Sequence, residues 1–235
     1  ANEVNGIDVI VGGHTHTILE QGYVVNKAEP TVIVQTGEYL NNLGKLNVTF
    51  DANGVVVVEE TSAELIPLAN VEPDPELQAK VDEFYGPIEE LLKVVVGHTT
   101  VDLDGEREDV RTKETNLGNL ITDGMVWKLK QFDPEVTIAL QNGGGIRASI
   151  PAGEITMGDV RTVLPFDNAL VAIKLTGQEL LEALEHSVSA YPAQSGGFLH
   201  VSGLKFKFDP DKPAYDRVWE VKVLNNDGEY ESLDL

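Results

Sequence analysis

Val136-Thr137-Ile138-Ala139-Leu140-Gln141-Asn142-Gly143-Gly144-Gly145-Ile146-Arg147 is the stretch on which the fold of this chain turns. The apolar, β-branched run Val136 to Leu140 predicts a buried strand. Gly143, Gly144 and Gly145 then allow positive φ and a close approach of bare backbone to another group. Arg147 follows at once with a planar guanidinium suited to phosphate or carboxylate. Strand, bare backbone and arginine together predict an anion-binding corner. The same residues also fit a tight turn carrying a surface arginine, so the flanking segments must decide.

Upstream, Asp104-Gly105-Glu106-Arg107 reads as a turn, with Arg107 and Arg111 four residues apart. Those arginines also fit ordinary (i, i+4) pairing with Glu106, Glu108 and Asp109. Thr115-Asn116 can cap a helix carrying Leu117, Leu120, Ile121, Met125 and Leu129. Downstream, Thr156 starts a short helix ending near Pro165, and Phe166-Asp167-Asn168 form the loop after it. Leu170 to Leu175 alternates as a strand. Thr176-Gly177-Gln178-Glu179 is a capping box for a helix with Leu180, Leu181, Leu184 and Val188 on one side. Ser195-Gly196-Gly197 is a second glycine turn. Val201 to Phe208 and Val218 to Leu224 are strands, the latter followed by an Asn226-Asp227-Gly228 turn.

Nearer the start, Ile7 to Val11 predicts a buried strand running into Gly12-Gly13-His14-Thr15-His16. Alternation along an extended backbone would point His14 and His16 to one side, where two imidazoles suit a borderline divalent metal. Two ligands do not complete a site that normally needs four to six. Thr31 to Gln35, Leu43 to Phe50 and Val55 to Thr61 read as strands, the last two joined by an Asp51-Ala52-Asn53-Gly54 turn. Asp74 and Pro75 then begin a helix whose apolar stripe runs Leu77, Val81, Phe84, Ile88, Leu91 and Val95. Gly86-Pro87 is expected to kink or split it. These segments give a mixed α+β chain: a β-rich region over 1–63, a linker helix region over 64–96, and a second domain over 97–235.

Composition narrows the function classes. The chain has 235 residues, 42% hydrophobic and 24% charged, which allows a sizeable core. Its 39 acidic against 17 basic residues give a net charge of -22, which argues against a nucleic acid polymer as partner. Any anion site must therefore be built locally from arginine and backbone N–H groups. Cysteine is absent, which excludes disulfides and thiolate metal sites. No apolar run approaches the ~20 residues a membrane helix needs.

Five segments carry a resemblance: Gly12-Gly13-His14-Thr15-His16, Gln35-Thr36-Gly37-Glu38-Tyr39, Glu114-Thr115-Asn116-Leu117-Gly118-Asn119-Leu120, Asn142-Gly143-Gly144-Gly145-Ile146-Arg147 and Leu164-Pro165-Phe166-Asp167-Asn168. In this order and spacing the chain resembles the bacterial and ecto-5′-nucleotidase family. The resemblance implies the last strands of a metallophosphoesterase β-sandwich, a linker helix permitting domain rotation, and a 5′-nucleotidase-type nucleotide-binding domain. It implies His14 and His16 as ligands of two divalent metal ions (Zn, Mn, Mg or Co). It implies substrate contacts from Arg107, Arg111 and Arg147 to phosphate or carboxylate-like groups. The glycine corner Asn142 to Gly145 would form one wall of the pocket, Phe166 would stack on the nucleobase and Asn168 would contact it. The implied partner is a nucleotide or nucleoside. A homodimer and an exported location (periplasm, cell wall or outer surface) are compatible with it.

Departures from the family pattern matter as much. The upstream Asp-x-His, Gly-Asp and Gly-Asn-His-Glu or Gly-Asn-His-Asp motifs are absent, and with them the catalytic residues. A second stacking aromatic and a Gly-Gly-Asp-Gly segment are also absent. The chain therefore reads as a middle-to-C-terminal fragment, inactive alone, of a two-metal phosphoric monoester hydrolase. Alternatives are a relative acting on nucleotide sugars, 2′,3′-cyclic nucleotides or a thiosulfate carrier, or a non-catalytic ligand-binding surface module. The Gly-Gly-Gly-Ile-Arg form favours a 5′-nucleotidase over the cyclic phosphodiesterase.

Overall fold

The computed structural model describes residues 1–25, 28–225 and 227–235. They form two compact units, Ala1–Lys80 and Val81–Leu235. In the first, β1 (Val9–Val11) pairs parallel with β3 (Thr31–Val34), and β2 (Tyr23–Val25) lies antiparallel on the other side of β3. Thr31 is wholly buried there, and its hydroxyl donates to the Ile7 carbonyl at 2.6 Å. A polar β3 side chain is thus satisfied, as burial requires.

A hairpin follows, but not between the expected segments. β4 (Asn42–Asn47) pairs antiparallel with β5 (Ser62–Pro67). Val55 to Thr61 contributes only an isolated bridge, Phe50 to Val56, and a 3₁₀ turn over Val58–Glu60. Asp51 Oδ1 closes the expected turn by accepting from the N–H groups of Asn53 and Val55, and beyond the Phe50–Val56 bridge the Thr61 hydroxyl donates to the Val57 carbonyl within the 3₁₀ turn. A bond of this last kind offers the backbone an alternative to a ladder.

The division between the units falls inside α1 (Pro75–Leu92). Asp74 caps it, Oδ1 accepting from the N–H groups of Glu76 and Leu77. The helix continues through Gly86-Pro87 rather than splitting there. Pro87 forfeits one backbone bond, and the turns on either side remain helical. The chain leaves the helix before Val95, which opens β6 (Val95–Thr99) instead of extending the stripe. The stripe itself, Leu77, Val81, Phe84, Ile88 and Leu91, is exposed.

The second unit is built on two cores. α2 (Asn116–Leu129) starts at Thr115, whose hydroxyl accepts from the Gly118 N–H, and buries Leu117. β7 (Ala139–Asn142) is shorter and later than the apolar run predicts, and a 3₁₀ turn over Gly143–Gly145 follows it. β8 (Gly153–Thr156) pairs with β6, and Thr156 caps α3 (Met157–Val163) with a reciprocal box through Asp159. One core gathers Leu103, Val110, Leu117, Ile146, Ile150 and Val163. The other packs Leu180 and Leu184 of α4 (Gly177–Val188) with Leu204. Thr176 and Glu179 form the expected capping box of α4. β9 (Leu199–Ser202) pairs with β7, then Gly203 at φ 68° breaks the expected single strand before β10 (Leu204–Phe208). β10, β11 (Val218–Leu224) and β12 (Tyr230–Ser232) make an antiparallel sheet. Asn226 of the expected turn lies outside the described residues.

Leu170 to Leu175 does not form the predicted strand. It joins no ladder among the described residues, and Leu170, Val171, Ile173 and Leu175 are exposed. An alternating apolar segment with free backbone edges is a template for pairing with another chain. Val171→Lys with Ile173→Lys is expected to reduce self-association at high concentration in sedimentation velocity, without lowering the thermal midpoint. Unchanged association would remove this segment as its cause.

Candidate anion-binding site

Three arginines converge in the second unit, each beside a buried anchor. Val110 is wholly buried in the turn that carries Arg107 and Arg111. Ile146, buried in the same core, fastens the glycine corner next to Arg147. Burial and the charges of Arg107 and Arg147 both disfavour the protonated form of Arg111. Arg107 and Arg147 thus both lie close enough to repel Arg111, and an acidic protein would gain nothing from this arrangement unless an anion relieves the repulsion.

None of the three pairs with a carboxylate among the described residues. The expected helical partner Asp109 pairs instead with Lys113 at 2.9 Å. Arg111 Nε is buried with no hydrogen-bond partner. Arg147 makes one long bond, Nη1 to the Gly144 carbonyl at 3.4 Å. Arg217 shows the contrast: its guanidinium donates to the carbonyls of Val188, Ser189, Tyr191 and Lys212 and so tethers the end of α4. A structural arginine is saturated in this fold, and the converging three are not. Phe166, 53% exposed, lies with its ring 5.8 Å from Arg147 Cζ. The ring has a free face for stacking. Asn168 is exposed two residues further on.

The glycine corner departs from expectation in two ways. Gly143, Gly144 and Gly145 are absent from the positive-φ residues, so conformational freedom is not why they are glycine. Space is the reason: a Cβ on Gly143 would lie 1.9 Å from the Val110 carbonyl oxygen, and one on Gly145 2.4 Å from Gln141 Nε2. The corner's backbone is not bare either. Gly143 N–H donates to the Phe198 carbonyl, Gly144 N–H to Gly196, Ile146 N–H to Gly143 and Arg147 N–H to Val163. Asn142 Nδ2 also donates to the Gly196 carbonyl at 3.0 Å. The corner's N–H groups are thus spent on the fold, and the guanidinium groups beside it are the donors left without carboxylate partners among the described residues. The second glycine turn, Ser195-Gly196-Gly197, is tied to the arginine turn: Ser195 N–H donates to the Arg111 carbonyl at 3.2 Å. A concavity of about 630 Å³ lies elsewhere, against β9 and β10, and contains none of the three arginines.

In the first unit, His14 and His16 do not lie on an extended strand. β1 ends at Val11, and both histidines have left-handed backbone, φ 65° and 61°, so the alternation argument does not hold. His16 Nδ1 contacts the Glu38 carboxylate, and Tyr39 meets the ring edge-on. No group of three or more His, Asp or Glu side chains converges among the described residues, so these two histidines do not make a complete metal shell. No helix among the described residues is long and apolar enough to cross a membrane.

A family model described as 5′-nucleotidase, C-terminal domain matches residues 95–234. The chain belongs to this family. Among individual relatives, it is 44% identical over 230 residues to the trifunctional nucleotide phosphoesterase protein YfkN of Bacillus subtilis, covering 97% of this chain and 16% of that protein. It is 32% identical to the human 5′-nucleotidase over 95% of this chain and 43% of the relative. The crystal structure of a 5′-nucleotidase precursor from Thermus thermophilus superposes with a TM-score of 0.76 at 43% identity, over 98% of this chain and 48% of that one. The chain thus spans less than half the length of each, and the resemblance read from its motifs holds.

Proposed function

We propose that the second unit binds a nucleoside monophosphate, with Arg107, Arg111 and Arg147 taking the phosphate side and Phe166 and Asn168 the base. The carrying observation is Arg111 held near the charges of both Arg107 and Arg147, all three without a carboxylate partner among the described residues, with an exposed aromatic ring beside Arg147. Arginine supplies planar, paired donors that match phosphate oxygens. Ring stacking contributes ~1–3 kcal/mol per base and tolerates any base, which suits a broad nucleotide site. Calorimetric titration with AMP should therefore weaken by about tenfold or more in Phe166→Ala and in Arg147→Ala. Unchanged affinity in both would overturn the placement.

For the longer protein, the proposed activity is hydrolysis of nucleoside 5′-monophosphates to nucleoside and phosphate with two divalent metals. His14 and His16 would each offer an imidazole, His16 through the nitrogen opposite Glu38, and the rest of the shell would come from outside these residues. Bound metals would polarise the phosphoryl group and supply a hydroxide nucleophile. This chain's residues hold and orient the ligand. No appreciable AMP hydrolysis is expected from the 235-residue chain with added Mn²⁺ or Zn²⁺, and robust phosphate release would refute the division of labour. An exported location, as in the resemblance, goes with this reading.

A further inference from the structure

His200 belongs to no motif, yet it touches the strand that leads into the glycine corner, the turn that carries Arg107 and Arg111, and the first turn of α2. It is 2% exposed on β9, opposite Gln141 in the ladder that leads into the glycine corner. Its Nε2 lies 3.0 Å from the Val110 carbonyl oxygen. A carbonyl only accepts, so Nε2 carries the proton and Nδ1 is the bare nitrogen. Nδ1 faces the first turn of α2 so closely that a Cβ on Gly118 would lie 2.0 Å from it. The Gly118 N–H is already committed to Thr115, and Nδ1 has no partner. Burial, the largest effect, pushes the ring away from protonation, against the Val110 bond and the charges of Glu114 and Asp104. A second ring proton would point at packed helix with nothing to accept it.

The Val110 carbonyl is thus gripped from two sides, by the His200 N–H and by the Cα face of Gly143. It sits in the turn between Arg107 and Arg111, one residue before the guanidinium whose Nε is buried and unpartnered. We propose that His200 is a positioning residue: its neutral ring, protonated at Nε2, holds the arginine turn so that Arg107 and Arg111 meet the anion together with Arg147. Without the bond, the repulsion of Arg111 by Arg107 and Arg147 would splay the turn until an anion arrived. Part of the binding free energy would then go into closing it.

The proposal rests on the anion-site reading, and the test separates the two. In ¹⁵N-labelled chain, long-range imidazole ¹H–¹⁵N spectra should show His200 as the neutral Nε2–H tautomer. His200→Leu should bind AMP and inorganic phosphate about tenfold more weakly, the loss expected for one hydrogen bond, and should shift the Arg111 Nε–H resonance in the free protein. His200→Gln restores a donor of similar reach and should recover affinity to within about threefold. An Nδ1–H tautomer, wild-type affinity in folded His200→Leu, or a glutamine variant no better than leucine would each overturn the proposal. If His200→Leu does not fold, the tautomer decides alone. If wild-type chain binds neither AMP nor phosphate, the anion-site reading fails, while the tautomer and the Arg111 resonance still decide whether His200 holds the turn.

Discussion

Arg111→Ala is expected to weaken AMP binding by about 10- to 100-fold, the range for losing a charge-assisted contact to phosphate. The same variant should keep or raise its thermal midpoint. The guanidinium is partly desolvated, its Nε is unpaired, and it is repelled by Arg107 and Arg147, so truncation relieves unfavourable terms in the free protein. The main chain loses nothing, because the Ser195 N–H bonds the Arg111 carbonyl, which alanine retains. Arg111→Lys should fall between, with charge kept and the paired donors lost. Calorimetry and thermal unfolding on the same samples check both signs. Lost affinity accompanied by a comparable loss of stability would mean that Arg111 is a structural residue like Arg217.

Gly143→Ala carries a large expected stability loss, about 3–5 kcal/mol, at the upper end for overpacking. The new methyl would meet the Val110 carbonyl oxygen at 1.9 Å, its carbon at 2.8 Å and the Phe198 oxygen at 3.3 Å. All are backbone atoms, so no rotamer change makes room. Gly144→Ala should cost far less, since its nearest neighbour, the Gly196 oxygen, lies at 3.0 Å. Gly124→Ala gives the opposite sign. It lies inside α2 with nothing within 4 Å of a new Cβ, and alanine should stabilise the helix by roughly 0.5–1 kcal/mol. Denaturant midpoints that failed to rank the three in this order would refute the close-approach explanation of the corner.

Much of the local structure was legible in the residues because it rests on contacts within one turn of chain. Asp74, Thr115, Thr156 and Thr176 are caps that can be read from spacing alone, and all four cap the helices expected of them. Strand pairing is different, because alternation says which face is apolar but not which segment lies alongside. Asn42–Asn47 pairs with Ser62–Pro67 while Val55 to Thr61 keeps only the bridge beside its turn, and Leu170 to Leu175 joins no ladder among the described residues.

The site divides along the same line. Arginine chemistry and the scarcity of basic residues are properties of the sequence, and they marked Arg147 beside the glycine corner, whereas the family resemblance supplied the roles of Arg107, Arg111 and Phe166. Whether those arginines were spent on neighbouring carboxylates was open until Asp109 was seen paired with Lys113. Gly143, Gly144 and Gly145 announced a special backbone, yet only packing against Val110 and Gly196 shows that they serve close approach and leave no free N–H row for an anion. His200 had no signal at all, because its partner lies 90 residues away in sequence. Residue types and short spacings thus determined which side chains suit an anion and where the helices begin. Tertiary structure decided which groups are already spoken for, since the availability of a charge or an N–H depends on neighbours that chain order does not place.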